Sequence, residues 1–454
     1  MTWTCWQQHT CLVTAFAVLV FPCYFLWHEQ HSYLLDQYLG LHPLLSNCTF
    51  DNKDCFDWTG PCQHSTKIYI YPRSEGSWFE NSFVGRLISN SDEIQKFDAR
   101  VDRALRADPS LTITSDPGEA CLFVPRIACL SVNQCDLPPI LARTRLQHLP
   151  YWNNGLNHVL LDHGDDPFSY GTTSGVGYEI RIRSASSAKY HRKGFDIGIS
   201  LRPKLSVYGH IVQGGGMHAA SNRSLLLGFL GAPTTTSGLR QSLLQLHAPQ
   251  DAIDIRVRPP KCPVPCLRHT QEYYDEYRSI LLRSKFQLVP RGAGLHSHRL
   301  LESIAAGTVP IVLADGMTLP FHEIIPWEEA ILIVPEKDWR MAPAIAREHI
   351  DNVAEMQCAG LAIYRHFFLR PYGTINLSFR LLQRRLHRLR RLRRRSATDS
   401  QTIRNQRTTL AKDPPLLPSW SFGKPVPRQP SFCATSKRAQ VIEDIVEQIN
   451  MNMI

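Results

Sequence analysis

The stretch "LVPRGAGLHSHRLLESIAAGTVPIVL", residues 288–313, passes from an apolar strand through a glycine turn into a helix and back into a strand. The first strand is predicted over "FQLVP", residues 286–290, and the next over "TVPIVLAD", residues 308–315. Ser297 can cap the helix and Gly307 can end it. The inward face of the helix is predicted to consist of Leu300, Leu301, Ile304 and Ala305. Strand, helix and strand in succession indicate a parallel α/β sheet.

The turn between the first strand and the helix is a candidate anion site. Backbone N–H groups and the helix dipole both point at such a turn, and Arg291 adds a fork-shaped donor suited to phosphate. Arg299 and Glu302 could reach the turn, one toward a phosphate and the other toward a ribose. A nucleoside diphosphate fits this pattern, whereas NAD and ATP do not, because the third glycine and the P-loop lysine are missing. The alternative is a tight turn followed by an ordinary exposed ion pair.

The rest of the chain also alternates between strands and helices. Apolar runs predict buried strands at residues 67–72, 120–125 and 157–162, and helical spacing predicts a helix over residues 91–108. The run "SLLLGFLG", residues 224–231, is predicted to open a second α/β unit. The 454 residues are enough for two domains with a core each.

The formal net charge of +10 is concentrated in one segment, since nine arginines occur among the sixteen residues 380–395. Leu382, Leu386 and Leu389 give this segment the spacing of a basic amphipathic helix. Its expected partner is a sulfated or uronic-acid polymer rather than nucleic acid; the alternative is a solvated helix face. The following segment, residues 413–430, has the composition of a disordered linker.

An uncharged apolar run at residues 11–27 is just long enough to cross a bilayer and is predicted to be an uncleaved signal anchor. Residues 1–10 would then be a cytoplasmic tail and residues 28–66 a lumenal stem with cysteines. A cleaved signal peptide or a buried helix is the alternative. No Lys or Arg precedes the run, so the positive-inside rule gives no orientation.

Glycosylation triplets and cysteines favour the same secretory compartment. The triplets begin at Asn47, Asn222 and Asn376, which are predicted glycosylation sites. The cysteine cluster Cys48, Cys55 and Cys62 lies in a short polar segment that disulfides would stabilise. Cys262 and Cys266 are expected to form a disulfide or remain thiols, because their spacing differs from that of a common zinc site.

Several separated blocks of sequence resemble the exostosin family, the heparan sulfate-polymerising glycosyltransferases of the GT47 type. They agree in order and spacing over about residues 48–370 and include "CTFDNKDCFDWTGPC", "SDPGEACLFVP", "YWNNGLNHVLLD", "GFDIGIS", "LVPRGAGLHSHRLLESIAAGTVPIVLADG" and "LPFHEIIPW". The "RGA" turn is similar to the exostosin-two branch and the "WNNG" block to the exostosin-one branch. About eighty residues follow Tyr372, so the further transferase domain of full exostosins is expected to be absent.

The resemblance implies an α/β protein with the GT-B fold, in which two Rossmann-like domains face each other across a cleft. Residues 67–215 would form the acceptor domain, residues 216–379 the donor domain, and residues 380–454 the basic helix and a disordered tail. The implied protein is a single-pass type II protein of the Golgi or endoplasmic reticulum membrane. The implied reaction transfers glucuronic acid, with inversion, from UDP-glucuronate to a heparan-type chain ending in N-acetylglucosamine. A second exostosin chain is the implied partner.

The family's donor site matches this sequence at Arg291, Gly292, Gly294, Arg299 and Glu302. An inverting transfer also needs a base, and acidic residues after a strand end are candidates because ligands gather at the carboxyl ends of parallel strands. The candidates are Asp162 and Asp166, with His163 and Asp165 beside them; a solvated acidic loop is the alternative. No essential metal is expected, although manganese is common in assays of the family, and His296 and His298 are interpreted as incidental.

Two departures from the family pattern leave a second function open. Active members are richer in basic residues after the turn, where this chain has Ala293, Gly294 and His296. They also carry basic residues where Ala232 and Pro233 follow the strand at residues 224–231. Fewer cations would weaken binding of a diphosphate. The alternative hypothesis is therefore an inactive exostosin-like subunit that stabilises or localises an active partner.

Overall fold

The computed structural model describes residues 48–72, 92–125, 146–162, 177–201, 218–233, 238–258, 270–399 and 429–451, apart from residues 185, 190, 293 and 371. These residues belong to one compact unit, Cys48–Ile454. The predicted anchor at residues 11–27, the triplet asparagine Asn47 and the pair Cys262 and Cys266 lie outside them. Within the described ranges, no helix combines the length and apolar character needed to cross a bilayer.

The first half of the chain forms short parallel strands. Their order is β2-β1-β3 in one sheet and β4-β5-β6 in another. A parallel bridge between Phe123 and His158 joins the edges of β3 and β4, so the six strands follow one another in a single series. The strands are β1 (Ile68–Ile70), β2 (Ile113–Thr114), β3 (Leu122–Val124), β4 (Val159–Asp162), β5 (Ile180–Arg183) and β6 (Ile197–Gly198). The strands predicted at residues 67–72, 120–125 and 157–162 are confirmed.

The predicted first helix is also present as α1 (Asp92–Ala107). Its residues Val101 and Leu105 are buried in the same core as the strands β1 and β3. Because an apolar residue every fourth position keeps one helix face on the sheet, the helical spacing of the sequence located this element correctly.

The second half contains a five-stranded parallel sheet in the order β11-β10-β9-β7-β8. Its strands are β7 (Leu225–Gly231), β8 (Ile253–Val257), β9 (Ser284–Pro290), β10 (Val309–Leu313) and β11 (Leu332–Ile333). The helices between them are α2 (Leu239–Ser242), α3 (Gln271–Arg283) and α4 (Arg299–Ala305), and α5 (Ala342–Glu348) follows β11. The strand predicted at residues 224–231 and the two strands flanking the glycine turn are confirmed.

Both faces of this second sheet are covered, which explains why its strands are continuous apolar runs rather than alternating ones. On β9, Phe286 and Leu288 face one core and Val289 faces the other. The helix α4 buries its predicted inward face and ends at Gly307, whose positive φ of 67° favours glycine. The N-cap residue is His298, one position after the predicted Ser297, and it makes no side-chain cap bond; the Ser297 hydroxyl accepts the Arg299 amide at 3.4 Å.

The carboxyl-terminal part is more ordered than the predicted disordered tail. Helix α6 (Val353–Ile363) continues through a π-helical turn at Tyr364–Phe368 and is followed by α7 (Gly373–Asp399) and α8 (Lys437–Met451). The disulfide Cys358–Cys433 joins α6 to the segment that leads into α8. Ile442, Val446 and Ile449 are buried in the main core. Their helical spacing makes α8 an amphipathic helix, and the prediction of disorder is therefore wrong for residues 429–451.

The arginine-rich helix α7 packs against the body of the protein rather than presenting a solvated face. Leu382 and Leu386 are fully buried. Arg390 donates to the carbonyl oxygens of Cys62 at 2.9 Å and Ser65 at 2.8 Å. These bonds use the charge of α7 to satisfy backbone carbonyls near the start of the compact unit. The predicted amphipathic helix is confirmed, and its predicted binding of an acidic polymer stays a prediction.

The cysteine-containing segment at residues 48–66 is part of the folded body, which corrects the assignment of residues 28–66 to a stem. Disulfides link Cys48 to Cys55 and Cys62 to Cys121, so the predicted stapling of this segment is confirmed. Phe50 is buried, and its ring centroid lies 4.6 Å from that of Phe195, which precedes β6. Burial of such aromatic side chains gives a short polar segment a core that its own length could not supply.

Candidate functional site

The order of strands in the second sheet reverses beside β7. From β7 the chain moves to β8 on one side and then returns to β9 on the other. Ligands of open parallel sheets bind in the crevice that forms at the carboxyl ends of the strands at such a point. We use "strand-end site" for the four residues gathered there, Gly231, Arg240, Arg291 and Arg299.

Arg240, in α2, ties the ends of the two central strands together. Its Nε donates to the carbonyl of Arg291 at 3.0 Å and its Nη1 donates to the carbonyl of Ala232 at 3.3 Å. The side chain is buried, so the positive charge of Arg240 lies next to the backbone at the start of the glycine turn. No local pattern in the sequence indicates this role, because the carbonyl partners of Arg240 lie in other segments of the chain.

Arg299 lies at the end of β7 rather than in an exposed ion pair. Its Nε and Nη2 donate to the Leu230 carbonyl at 3.3 Å and 2.9 Å. The guanidinium also lies 5.2 Å from the ring centroid of Phe229 and 5.6 Å from that of Tyr277. Gly231 permits this approach, since a Cβ there would lie 2.8 Å from Arg299 Nη2. The alternative of an ordinary exposed pair is thereby excluded for Arg299.

Glu302, one turn further along α4, is buried and accepts a hydrogen bond of 2.7 Å from the Tyr277 hydroxyl. Burial, together with the charge of Glu302, raises the pKa of Tyr277 well above its usual value. The tyrosine therefore remains protonated and serves as a donor. The predicted contact of Glu302 with a ribose stays a prediction, and in this structure the carboxylate has a protein partner.

Arg291 opens the glycine turn, directly after β9. Its Nη1 lies 3.7 Å from Oε1 of Glu336, and the same oxygen accepts the Asp315 amide at 3.0 Å. The Gly292 amide donates to the His296 carbonyl at 3.2 Å and closes the turn. Gly292 and Gly294 are both buried, so the turn is compact. The turn thus combines one forked cation with one neighbouring carboxylate.

The predicted base Asp162 lies at the carboxyl end of β4. It forms a buried ion pair with Arg183 at the end of β5, with Oδ2 of Asp162 3.2 Å from Nε of Arg183. The second predicted base, Asp166, lies outside the described residues, as do His163 and Asp165. The carboxylate of Asp162 already has a cationic partner, and its role as a base stays a prediction.

His296, in the glycine turn, lies where the second half of the chain contacts the first. The ring is buried near the backbone of Ser186 and Thr318, and its Nε2 has no hydrogen-bond partner among the described residues. Two further backbone contacts follow the same path, an antiparallel bridge between Ser187 and Met317 and a bond of 2.8 Å from the Ala188 amide to the Gly316 carbonyl. These backbone contacts hold the segment after β10 against the segment after β5, and the interpretation of His296 and His298 as incidental to metal binding stays a prediction.

Two predicted glycosylation sites can be placed. Asn222 is exposed, which is compatible with glycosylation. Asn376 is only 9% exposed, and its Nδ2 donates to the carboxylate of Asp108 at 3.0 Å. Because Nδ2 is the atom that would carry the sugar, a glycan at Asn376 would replace this contact, and glycosylation at both positions stays a prediction.

Because two histidines are buried, the protein is expected to lose stability in weak acid. Burial lowers the pKa of His158 to about 4 and that of His296 to about 4, against roughly 6.5 in an unfolded chain. The unfolded state therefore binds more protons below pH 6.5, and stability falls as the pH drops from 6.5 toward 4. We expect each histidine to lower the free energy of unfolding by about 2 kcal/mol between pH 7 and pH 5.

Urea unfolding at the two pH values measures this effect. The variant His158→Gln, which cannot titrate, should show a smaller loss than the unsubstituted chain, because all other groups contribute equally to both. An identical loss in the two proteins would contradict the prediction for His158.

The parallel sheets carry cationic side chains at the carboxyl ends of their central strands. This places the protein in the class of α/β proteins that bind ligands where the strand order reverses. The family model for the exostosin GT47 domain matches residues 62–349, which is more than half of the chain and includes all eleven described strands. The chain therefore belongs to the exostosin GT47 family of glycosyltransferases.

Individual relatives agree with this assignment. Exostosin-1a of Danio rerio is 29% identical over 367 residues, which cover 75% of this chain and 46% of that protein. Exostosin-1c of Danio rerio is 30% identical over 348 residues, covering 71% and 44%. Exostosin-1 of Bos taurus is 27% identical over 362 residues, covering 74% and 45%. The chain thus spans just under half the length of these relatives.

Proposed function

We propose that this chain transfers glucuronic acid, with inversion, from UDP-glucuronate to an N-acetylglucosamine-terminated chain in heparan sulfate biosynthesis. The proposal includes a GT-B arrangement, in which the donor binds at the strand-end site and the acceptor approaches from the side of β4 and β5. The observation that carries it is the match to the exostosin GT47 domain over residues 62–349, because this range contains both sheets and all four residues of the strand-end site.

The chemistry proposed for the strand-end site is electrostatic. When the bond between the sugar and UDP breaks, negative charge develops on the diphosphate. A fixed arginine stabilises that charge most in the transition state, and Arg291 and Arg299 are the proposed donors. Because these cations meet the diphosphate, the proposed transfer uses no essential metal in this domain. The acceptor hydroxyl must lose a proton to a base, for which Asp162 and Asp166 remain the candidates.

The proposed location is the lumen of the Golgi or endoplasmic reticulum, with residues 11–27 as a membrane anchor. The disulfides Cys48–Cys55, Cys62–Cys121 and Cys358–Cys433 support an oxidising compartment. We also propose a second exostosin chain as partner, in keeping with the similarity to exostosin-1 proteins.

A catalytically inactive subunit is the second candidate function, and the contacts within the strand-end site favour it. Arg240 and Arg299 donate to backbone carbonyls, and Arg291 lies beside Glu336. These contacts occupy N–H donors of Arg240 and Arg299 and partly neutralise the charge of Arg291, so the three arginines offer a diphosphate less than they would if unpaired. In this function the chain would fold like a transferase and stabilise or localise an active partner.

Turnover of UDP-glucuronate by the purified chain distinguishes the two functions. The acceptor is an oligosaccharide that ends in N-acetylglucosamine, and UDP-N-acetylglucosamine serves as the control donor. Extension by one glucuronic acid, with the control donor unused, is the expected result. If the chain alone is inactive but increases the turnover of a co-expressed exostosin, it is a partner subunit. Failure in both assays would refute both functions.

A further inference from the structure

Three potential metal ligands converge outside the strand-end site. They are His191, which lies between β5 and β6, and the adjacent residues His322 and Glu323, which follow β10. One ligand atom from each lies within 4.8 Å of the other two. The two segments already run side by side, since the Thr318 amide donates to the Ser186 carbonyl at 3.0 Å.

His191 is oriented as a metal-binding histidine usually is. Its Nδ1 lies 3.1 Å from the Ser186 hydroxyl. Its Nε2 is buried and finds no hydrogen-bond partner in the part of the chain that the structure describes. A buried polar atom without a partner is unusual and requires an explanation. When Nδ1–H donates to Ser186, Nε2 carries a lone pair, and a second-shell bond of this kind commonly orients a ligand to a metal.

The other two side chains complete a donor set of two imidazoles and one carboxylate. The His322 ring lies 5.3 Å from that of His191. Oε1 of Glu323 contacts Arg385, so Oε2 is the oxygen proposed to bind a cation. The Arg385 guanidinium also donates to the carbonyl oxygens of Phe195 and Asp196. The negative charge of Glu323 therefore offsets the positive charge of Arg385 next to the cluster.

We propose that His191, His322 and Glu323 bind one zinc ion, with water as the fourth ligand. Two histidines and one glutamate with water form a known zinc donor set, with bonds of about 2.0–2.2 Å. Tetrahedral coordination brings the ligand atoms to about 3.4 Å from one another. His322 and Glu323 are less enclosed than the core histidines, and rotation of their side chains would close the 4.8 Å separation.

The proposed zinc ion has a structural role that is independent of glycosyl transfer. It would join the segment after β5 to the segment after β10. Ser186 contacts both segments, because its hydroxyl lies 3.1 Å from His191 Nδ1 and its carbonyl accepts the Thr318 amide at 3.0 Å. Zinc would therefore stabilise the contact between these two segments.

Zinc titration into the purified, metal-free full-length chain tests the proposal, with calorimetry measuring affinity and stoichiometry. We expect one zinc ion per chain and, at about one hundred times the dissociation constant, a rise in the unfolding temperature of several degrees. Cobalt(II) should bind at the same site and give the visible absorption bands of tetrahedral cobalt. Ser186→Ala, which removes the orienting hydroxyl, should weaken zinc binding by about tenfold or more.

His322→Ala and Glu323→Gln test the two ligands that are less enclosed. His191→Ala is not needed for the test, because loss of this more enclosed side chain could disturb folding. Each should abolish the cobalt bands. His64→Ala, at an exposed histidine elsewhere, is the matched control and should leave zinc affinity unchanged. Equal zinc affinity in His322→Ala and the unsubstituted chain, or absence of zinc binding to the folded chain, would overturn the proposal. Transferase assays do not enter this test, so failure of the proposed function leaves it intact.

Discussion

Arg380→Ala is expected to lower the free energy of unfolding by about 3–5 kcal/mol, because it leaves the carboxylate of Asp108 buried without its cation. In the intact protein the Arg380 side chain is 1% exposed and that of Asp108 is 0% exposed. Arg380 Nε donates to Oδ2 of Asp108 at 2.6 Å, and Asn376 donates to the same oxygen. The pair joins the loop after α1 to α7 and thus connects the two halves of the chain. Urea unfolding of the two proteins measures the difference.

Arg388→Ala is the matched control for this prediction. It makes the same substitution in the same helix, at an exposed position, and should change stability by no more than about 0.5 kcal/mol. Adding Asp108→Asn to Arg380→Ala removes the stranded charge and should recover part of the lost stability. If Arg380→Ala were as stable as Arg388→Ala, the buried ion pair would not stabilise the fold.

The sequence predicted the elements whose signals are local. Residues 286–290 and 224–231 are apolar runs bounded by turn residues, and both are central strands. The helix after the glycine turn has its inward face and its end at Gly307 as predicted. Each of these features depends on neighbours within a few positions, and for that reason the pattern of side chains was sufficient.

The side-chain partners could not be predicted in the same way. Asp108 and Arg380 are separated by 272 positions, and nothing in either neighbourhood of the sequence indicates the other. Arg240 contacts Arg291 across 51 positions. The arginines of residues 380–395 had the composition of a solvated basic helix, yet Arg380 and Arg390 lie in contacts that only the folded chain creates. The composition of a segment gives its charge, but it does not identify the distant groups that the charged side chains contact.

The sequence predicted only part of the candidate site, because some of its contacts are local and others join remote segments. The glycine turn and Arg291 were located from the strand and helix around them, and the structure places them at the switch point of the sheet. The contacts of Arg299 with Leu230 and of Glu302 with Tyr277 involve segments that are remote in sequence. Helical spacing alone could not distinguish those contacts from an exposed ion pair.

Arg291→Ala is expected to reduce kcat/KM for UDP-glucuronate by about 100-fold or more, if the chain is an active transferase. Arg291 is the cation at the mouth of the glycine turn, and its ion pair with Glu336 is long enough, at 3.7 Å, for a phosphate to compete. Arg291→Lys should retain part of the activity, because a point charge replaces a forked donor. The affinity for UDP, measured by calorimetry, should fall in the order arginine, lysine, alanine.

Glu336→Gln and Arg347→Ala make this prediction specific to the strand-end site. Glu336→Gln removes the carboxylate that competes with a phosphate for Arg291 and should increase the affinity for UDP. Arg347→Ala removes an arginine whose ion pair with Asp251 is half exposed at 3.8 Å, and it should leave both measurements unchanged. Because UDP binding does not require turnover, the order of affinities also tests the site in an inactive subunit. Unchanged UDP affinity in Arg291→Ala would place the diphosphate elsewhere, whatever the activity of the chain.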